Sequence, residues 1–239
     1  MEAKILQTVS LLFLWVWLPL AVSSSQKYHR LELPTGAVGP ESLAFDCRGK
    51  GPYTGVADGR ILKYQGPKRG WRNFAYTSPL RRRSLEYSEI VRTHDKSGRF
   101  MKYDLRTKQV TVLLRGLVFA NGVAVSKDKK YAIVCEDMKG EILRYWLRGP
   151  KAHTSEFFAR PPGNPDNINI NADGDFWVAL GGNNITAGEP IGVRLGGDGQ
   201  ILQRLLGDGI LGSVSEVEER NGLLLVGTVA TTYIGITSL

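Results

Sequence analysis

Six residues recur three times along this chain. "GRILKY" occupies 59–64, "GRFMKY" 98–103 and "GEILRY" 140–145, with starts 39 and 42 residues apart. Each copy is short, rich in apolar and aromatic residues, and headed by glycine, as a strand entered from a tight turn is. A looser copy, "GVRL", stands at 192–195. Strands repeated at a period near 40 residues predict a repeated β unit.

The surroundings of the copies agree. "VAVSKDKKYAIVCED" (123–137) reads as a hairpin. "NININADGDFWVAL" (167–180) turns at Asp173–Gly174, and "VSEVEERNGLLLVGT" (214–228) at Asn221–Gly222. Asp-Gly and Asn-Gly between strand-like runs are strong hairpin signals. Two hairpin strands, the repeated strand and an outer strand make four antiparallel strands per unit, the pattern of a β-propeller blade. Helical periodicity is nearly absent after residue 26. The expected class is therefore all-β, with residues 26–239 forming a single β-propeller domain.

The N-terminus reads separately. Lys4 precedes a 12-residue apolar run from Leu11 to Val22, and small residues follow through Ser25. This is the pattern of a signal peptide over residues 1–25, or of a signal anchor, and is short for a spanning helix. It predicts entry to the secretory pathway, with the endoplasmic reticulum lumen, the vacuole or the extracellular space as destinations. "NNIT" then offers Asn184 as an N-glycosylation acceptor. Cys47 and Cys135 are the two cysteines, too few for a disulfide framework.

The net charge of +8 is scattered. Its two local runs are Arg81–Arg83 and the lysines 127, 129 and 130 at a hairpin tip, and neither interleaves with aromatic residues as an RNA-binding sheet requires. Nucleic acid is excluded as a partner, and a small-molecule ligand is expected. His29, His94 and His153 read as surface residues. There is no GxSxG elbow or HExxH helix, and "GGDGQ" (196–200) is a hairpin turn rather than a phosphate loop.

Several phrases together carry a family resemblance: "GAVGPESLAFD", "GVADGRILKY", "DKSGRFMKYD", "ANGVAVSKD", "LRYWLRGPK", "PDNININADGDFWVAL" and "NGLLLVGT". In this order they resemble the strictosidine synthase-like family of plants, related to paraoxonase-type lactonases and arylesterases. The resemblance implies a six-bladed propeller with a pocket at one end of its central channel. It also implies a loss. Between Arg83 and Ser84 this chain is short by about 60–80 residues, roughly a blade and a half. The expected form is a ring of about five blades, or an incomplete ring.

The resemblance further places residues. The glutamate that serves as base in amine–aldehyde (Pictet–Spengler) condensation falls at Ser215, and a neighbouring pocket histidine at Ser213. A serine hydroxyl without an activator is no base near neutral pH. Glu216 is adjacent, and strand alternation sends it to the opposite face. The lactonase relatives hold calcium with Glu, Asn and Asp side chains. The matching positions here are Glu41, Asn121, Asp166 and Asn167, each expected at the start of an innermost strand. Phe119, Trp177 and Val178 are expected to line the pocket. Three functions follow as alternatives: a calcium-assisted ester or lactone hydrolase, a non-catalytic ligand-binding propeller or inactive truncated product, and a strictosidine synthase of alkaloid biosynthesis.

Overall fold

Glycine-led turns and short apolar runs fold into eighteen strands in five sheets among the described residues. The computed structural model describes residues 27–46, 48–76, 92–104, 106–182, 186–211 and 213–239. Residues 1–25, expected to be a signal peptide, lie outside them, as do Cys47, Arg81–Arg83, the Arg83–Ser84 junction and Asn184.

Each complete sheet has four antiparallel strands, in sequence order in all but the last, which is the pattern of a propeller blade. The first contains β2 (Ser42–Ala44), β3 (Tyr53–Gly55), β4 (Arg60–Tyr64) and β5 (Trp71–Tyr76). The pair β6 (Gly98–Tyr103) and β7 (Val110–Leu117) follows. The next blade contains β8 (Ala120–Val125), β9 (Tyr131–Glu136), β10 (Glu141–Trp146) and β11 (Ser155–Ala159). Another contains β12 (Asn164–Ile170), β13 (Phe176–Gly181), β14 (Pro190–Leu195) and β15 (Ile201–Leu206). The last joins β16 (Val214–Arg220), β17 (Leu223–Thr228) and β18 (Tyr233–Ser238) to β1 (His29–Glu32) from the other end of the chain.

The repeated hexapeptides form β4, β6 and β10, and "GVRL" lies on β14. In every complete blade this is the third strand. The predicted hairpins also form. Asn221 and Gly222 take φ of 50° and 74° between β16 and β17. The Asn171 side-chain oxygen accepts the backbone N–H groups of Asp173, Gly174 and Asp175 to shape the turn after β12.

Blades pack face to face, so alternate residues of one strand enter different cores. Ile133, Cys135, Ile142, Phe176, Val178 and Val193 fill the space between the β8–β11 and β12–β15 blades. Trp177, Ala179, Ile191, Val217 and Leu224 fill the next one. Leu43, Leu225 and Ile234 join the last blade to the first. Cys135 is a free thiol, wholly buried, and burial pushes its pKa well above the ordinary value.

The β6–β7 pair packs on β8, and the blades then follow in order until β16 and β17 meet β2. Among the described residues this is an arc and not a closed ring. It opens between β5 and β6, where the sequence predicts the missing chain. The β6–β7 pair corresponds to the third and fourth strands of a blade, with no described first or second strand.

Candidate functional site

The centre of the arc is built from the first strand of each blade, and three of these strands share one irregularity. The β8–β9 ladder slips between Ala120 and Val123, around Asn121. The β12–β13 ladder slips between Pro165 and Ile168, around Asp166 and Asn167. The β16–β17 ladder slips between Val214 and Glu216, around Ser215. A bulge releases a residue from the ladder and re-aims its side chain. Asn121, Asp166, Asn167 and Ser215 thus stand at the bulge of their strand, while Glu41 immediately precedes β2. Asn121, Asp166 and Asn167 do not start their strands as expected, because each bulge sits within the strand.

Glycine brings the inner strands close. A Cβ on Gly122 would lie 2.6 Å from the carbonyl oxygen of Asp166 and 2.8 Å from Cα of Asn167. Only glycine allows that approach, and it sets Asn121 beside Asp166. The Asn121 amide stands near enough to the carboxyl groups of both Asp166 and Asp137 to favour their ionised forms, and the Asn164 amide does the same for Asp137. Asn167 Nδ2 donates to the Glu41 carbonyl at 3.4 Å, and Ser215 Oγ donates to the same oxygen at 2.9 Å. Four blades therefore meet through Glu41, Asn121, Asp166, Asn167 and Ser215.

The electrostatics of this centre are unusual. Burial pushes the Asp166 carboxyl up to about 7, and the Asp137 and Glu41 charges act in the same direction. Burial likewise raises Asp137, against the opposing effect of the Asn121 and Asn164 amides. Two carboxyl groups in a common half-buried centre resist ionising together.

Asp137 and Asn164 were not foreseen. Asp137 begins a 3-10 turn, Asp137–Lys139, straight after β9, and its backbone N–H donates to the Phe119 carbonyl at 3.2 Å. The only signal was an acid directly after a strand, in "CEDMKGE".

Glu216 corrects the alternation argument. The bulge at Ser215 keeps both residues in the interior, 1% and 3% exposed. Glu216 Oε2 accepts the N–H of Leu43 at 3.4 Å, and Oε1 accepts from Asn169 Nδ2. One carboxyl thus clamps three blades, and burial raises its pKa to about 8.

Trp177 and Val178 do not line a pocket. Both are fully buried on β13, Trp177 in the core toward β16 and Val178 in the core toward β8. The Trp177 indole donates to Glu219 Oε2 at 2.7 Å. Phe119 is half-buried at φ 50°, just before β8. Ser213 precedes β16 and is half-buried. His29, His94 and His153 are exposed, away from this centre.

The donor chemistry at the centre suits calcium, which binds carboxylate and amide oxygens. Two acids whose ionisation is disfavoured by burial and by each other gain from a divalent cation. The acids alone do not suffice. Among the described residues no three His, Cys, Asp or Glu side chains group closely enough to hold a metal. The amide oxygens of Asn121 and Asn167 would be needed beside Glu41 and Asp166. Among the described residues no helix is long and apolar enough to cross a membrane.

Fold and centre together define a β-propeller with an oxygen-lined middle. Known proteins then narrow the class. The family model described as Strictosidine synthase matches residues 80–150, and that described as Strictosidine synthase-like, N-terminal, matches residues 26–64. Strictosidine synthase-like protein 10 of Arabidopsis thaliana is 31% identical, with 86% of each chain covered. Strictosidine synthase of Catharanthus roseus is 28% identical, over 86% of this chain and 84% of that one. A gluconolactonase of Xanthomonas campestris superimposes with a TM-score of 0.48 at 17% identity, covering 82% of this chain and 60% of that one. This chain belongs to the strictosidine synthase-like family.

Proposed function

We propose that this propeller is a calcium-assisted hydrolase of small esters or lactones, delivered through the secretory pathway and glycosylated at Asn184. The observation that carries the reading is the convergence of Asn121, Asp166 and Asn167, each at an inner-strand bulge, with Glu41 and Asp137. Oxygen donors from three blades around Asp166 support a binding centre rather than a packing core.

Glu41, Asn121, Asp166 and Asn167 would hold the ion. A calcium ion there supplies positive charge against the carbonyl oxygen of an ester. Asp137 is the group placed to take a proton from an attacking water. It stands beside the amides of Asn121 and Asn164, and its raised pKa makes it a stronger base than an ordinary carboxylate. The proton then passes to the departing alkoxide, which completes hydrolysis.

Strictosidine synthesis is not favoured. Its base would stand at Ser215, whose hydroxyl donates to the Glu41 carbonyl and is 1% exposed. Nor does Glu216 replace that base, since Leu43 and Asn169 occupy its carboxyl oxygens. A binding propeller without chemistry is the alternative.

The test is hydrolysis of aryl esters and of aliphatic lactones by the secreted protein, with calcium and with a chelator. The reading predicts turnover that needs calcium and is lost in Asp137→Asn. Calcium-induced stabilisation without turnover would favour the binding propeller, and neither effect would sink both readings.

A further inference from the structure

A second site lies far from the centre, at the outer edge of the first blade. Lys63 and Gln65 from β4 and its turn, with Arg72, Asn73 and Phe74 from β5, enclose a cleft of about 260 Å³. That is just below the roughly 300–1,000 Å³ of pockets for drug-sized ligands.

Its charge is one-sided. Lys63 and Arg72 are direct cross-strand partners. Like charges opposite each other on a sheet are destabilising unless something offsets them. Lys63 has a counter-charge in Asp46 at 3.6 Å and hydrogen-bonds the Tyr53 hydroxyl. For Arg72 no carboxylate partner is present among the described residues. Lys68 and Arg69, exposed in the connecting turn, add to the positive field. An arginine fork without an acid is suited to a bidentate carboxylate or phosphate.

The second feature is aromatic. Phe74 is 62% exposed, high for a ring within a strand. It meets Tyr53 edge to face at 4.9 Å between centroids, so its position is fixed. An edge-to-face pair leaves ring surface free for another ring. The cleft thus combines a guanidinium with no carboxylate partner among the described residues, an ammonium, the side chains of Gln65 and Asn73, and an exposed ring packed against Tyr53.

We infer that this cleft binds a small aromatic carboxylate, its carboxylate on Arg72 and its ring on Phe74. The site is independent of the central one.

Calorimetric titration of the full chain with benzoate tests this, with acetate and inorganic phosphate for comparison. Benzoate is expected to bind with a dissociation constant on the order of 1 mM, and acetate and phosphate about tenfold more weakly. Arg72→Gln and Phe74→Ala should each weaken benzoate about tenfold, while Arg72→Lys retains part of the affinity. Both side chains are exposed, so the variants are expected to fold, and a cooperative thermal unfolding transition in each serves as the folding control. Absence of heat at about 10 mM benzoate, ten times the expected constant, would overturn the inference. So would unchanged affinity in folded Arg72→Gln, or phosphate binding as well as benzoate.

Discussion

The carboxyl group of Glu216 accepts the backbone N–H of Leu43 at 3.4 Å, tying the last blade to the first. Asn169 donates to the other carboxyl oxygen from a third blade. Replacing Glu216 with Ala leaves those donors buried and unmet, and is expected to cost about 2–4 kcal/mol. Glu216→Gln keeps an acceptor for Leu43 and should cost less. Chemical denaturation of both variants measures the difference.

The same carboxyl makes stability depend on pH. Its folded pKa is about 8, raised by burial from an ordinary 4.5, and that of Asp166 is about 7. Each group holds its proton more tightly in the folded chain than in the unfolded one. The stabilisation this gives is complete below the ordinary carboxyl range and is lost as pH rises through 7 to 8. Without calcium, Tm should therefore fall between pH 5 and pH 8, and Glu216→Gln should flatten that slope. A Tm that rises over this interval would contradict the assignment.

Calcium should reverse the trend. A cation competes with the proton for Asp166, so stabilisation by calcium should be small at pH 5.5 and larger at pH 8. Thermal scans at the two pH values, with the ion and with a chelator, give the comparison. Asp166→Asn should remove most of the calcium-dependent gain.

Ser215 makes a sharper chemical prediction. The purified protein should not consume an amine and an aldehyde together, because no free base stands at that position. Ser215→Ala should cost about 1 kcal/mol through the lost bond to the Glu41 carbonyl. Product analysis by mass spectrometry checks the first expectation and denaturant unfolding the second.

Trp177 marks where the sequence was legible and where it was not. The repeat, the hairpins and the third-strand position of "GRILKY" all follow from local signals, since glycine turns and strand patterns are written in neighbouring residues. The family resemblance, rather than those signals, pointed to Asn121, Asp166 and Asn167, which the structure brings together. Trp177 and Val178 look like pocket residues in "DGDFWVAL", yet β13 is a second strand, and its two faces enter two different cores. Glu216 was misplaced because a bulge at Ser215 breaks the alternation, and a bulge leaves no local mark there. Asp137 was missed because its role depends on Asn164, which arrives from another blade. Contacts between blades are set by tertiary packing, and no short window of sequence contains them.

The pairing of β1 with β18 has a consequence during synthesis. Among the described strands His29–Glu32 is translated first and Tyr233–Ser238, with which it pairs, last. Until then β1 is a bare edge, and the last blade lacks one of its four strands. That pairing spans the described chain, and long-range strand pairing of this kind is slow to form.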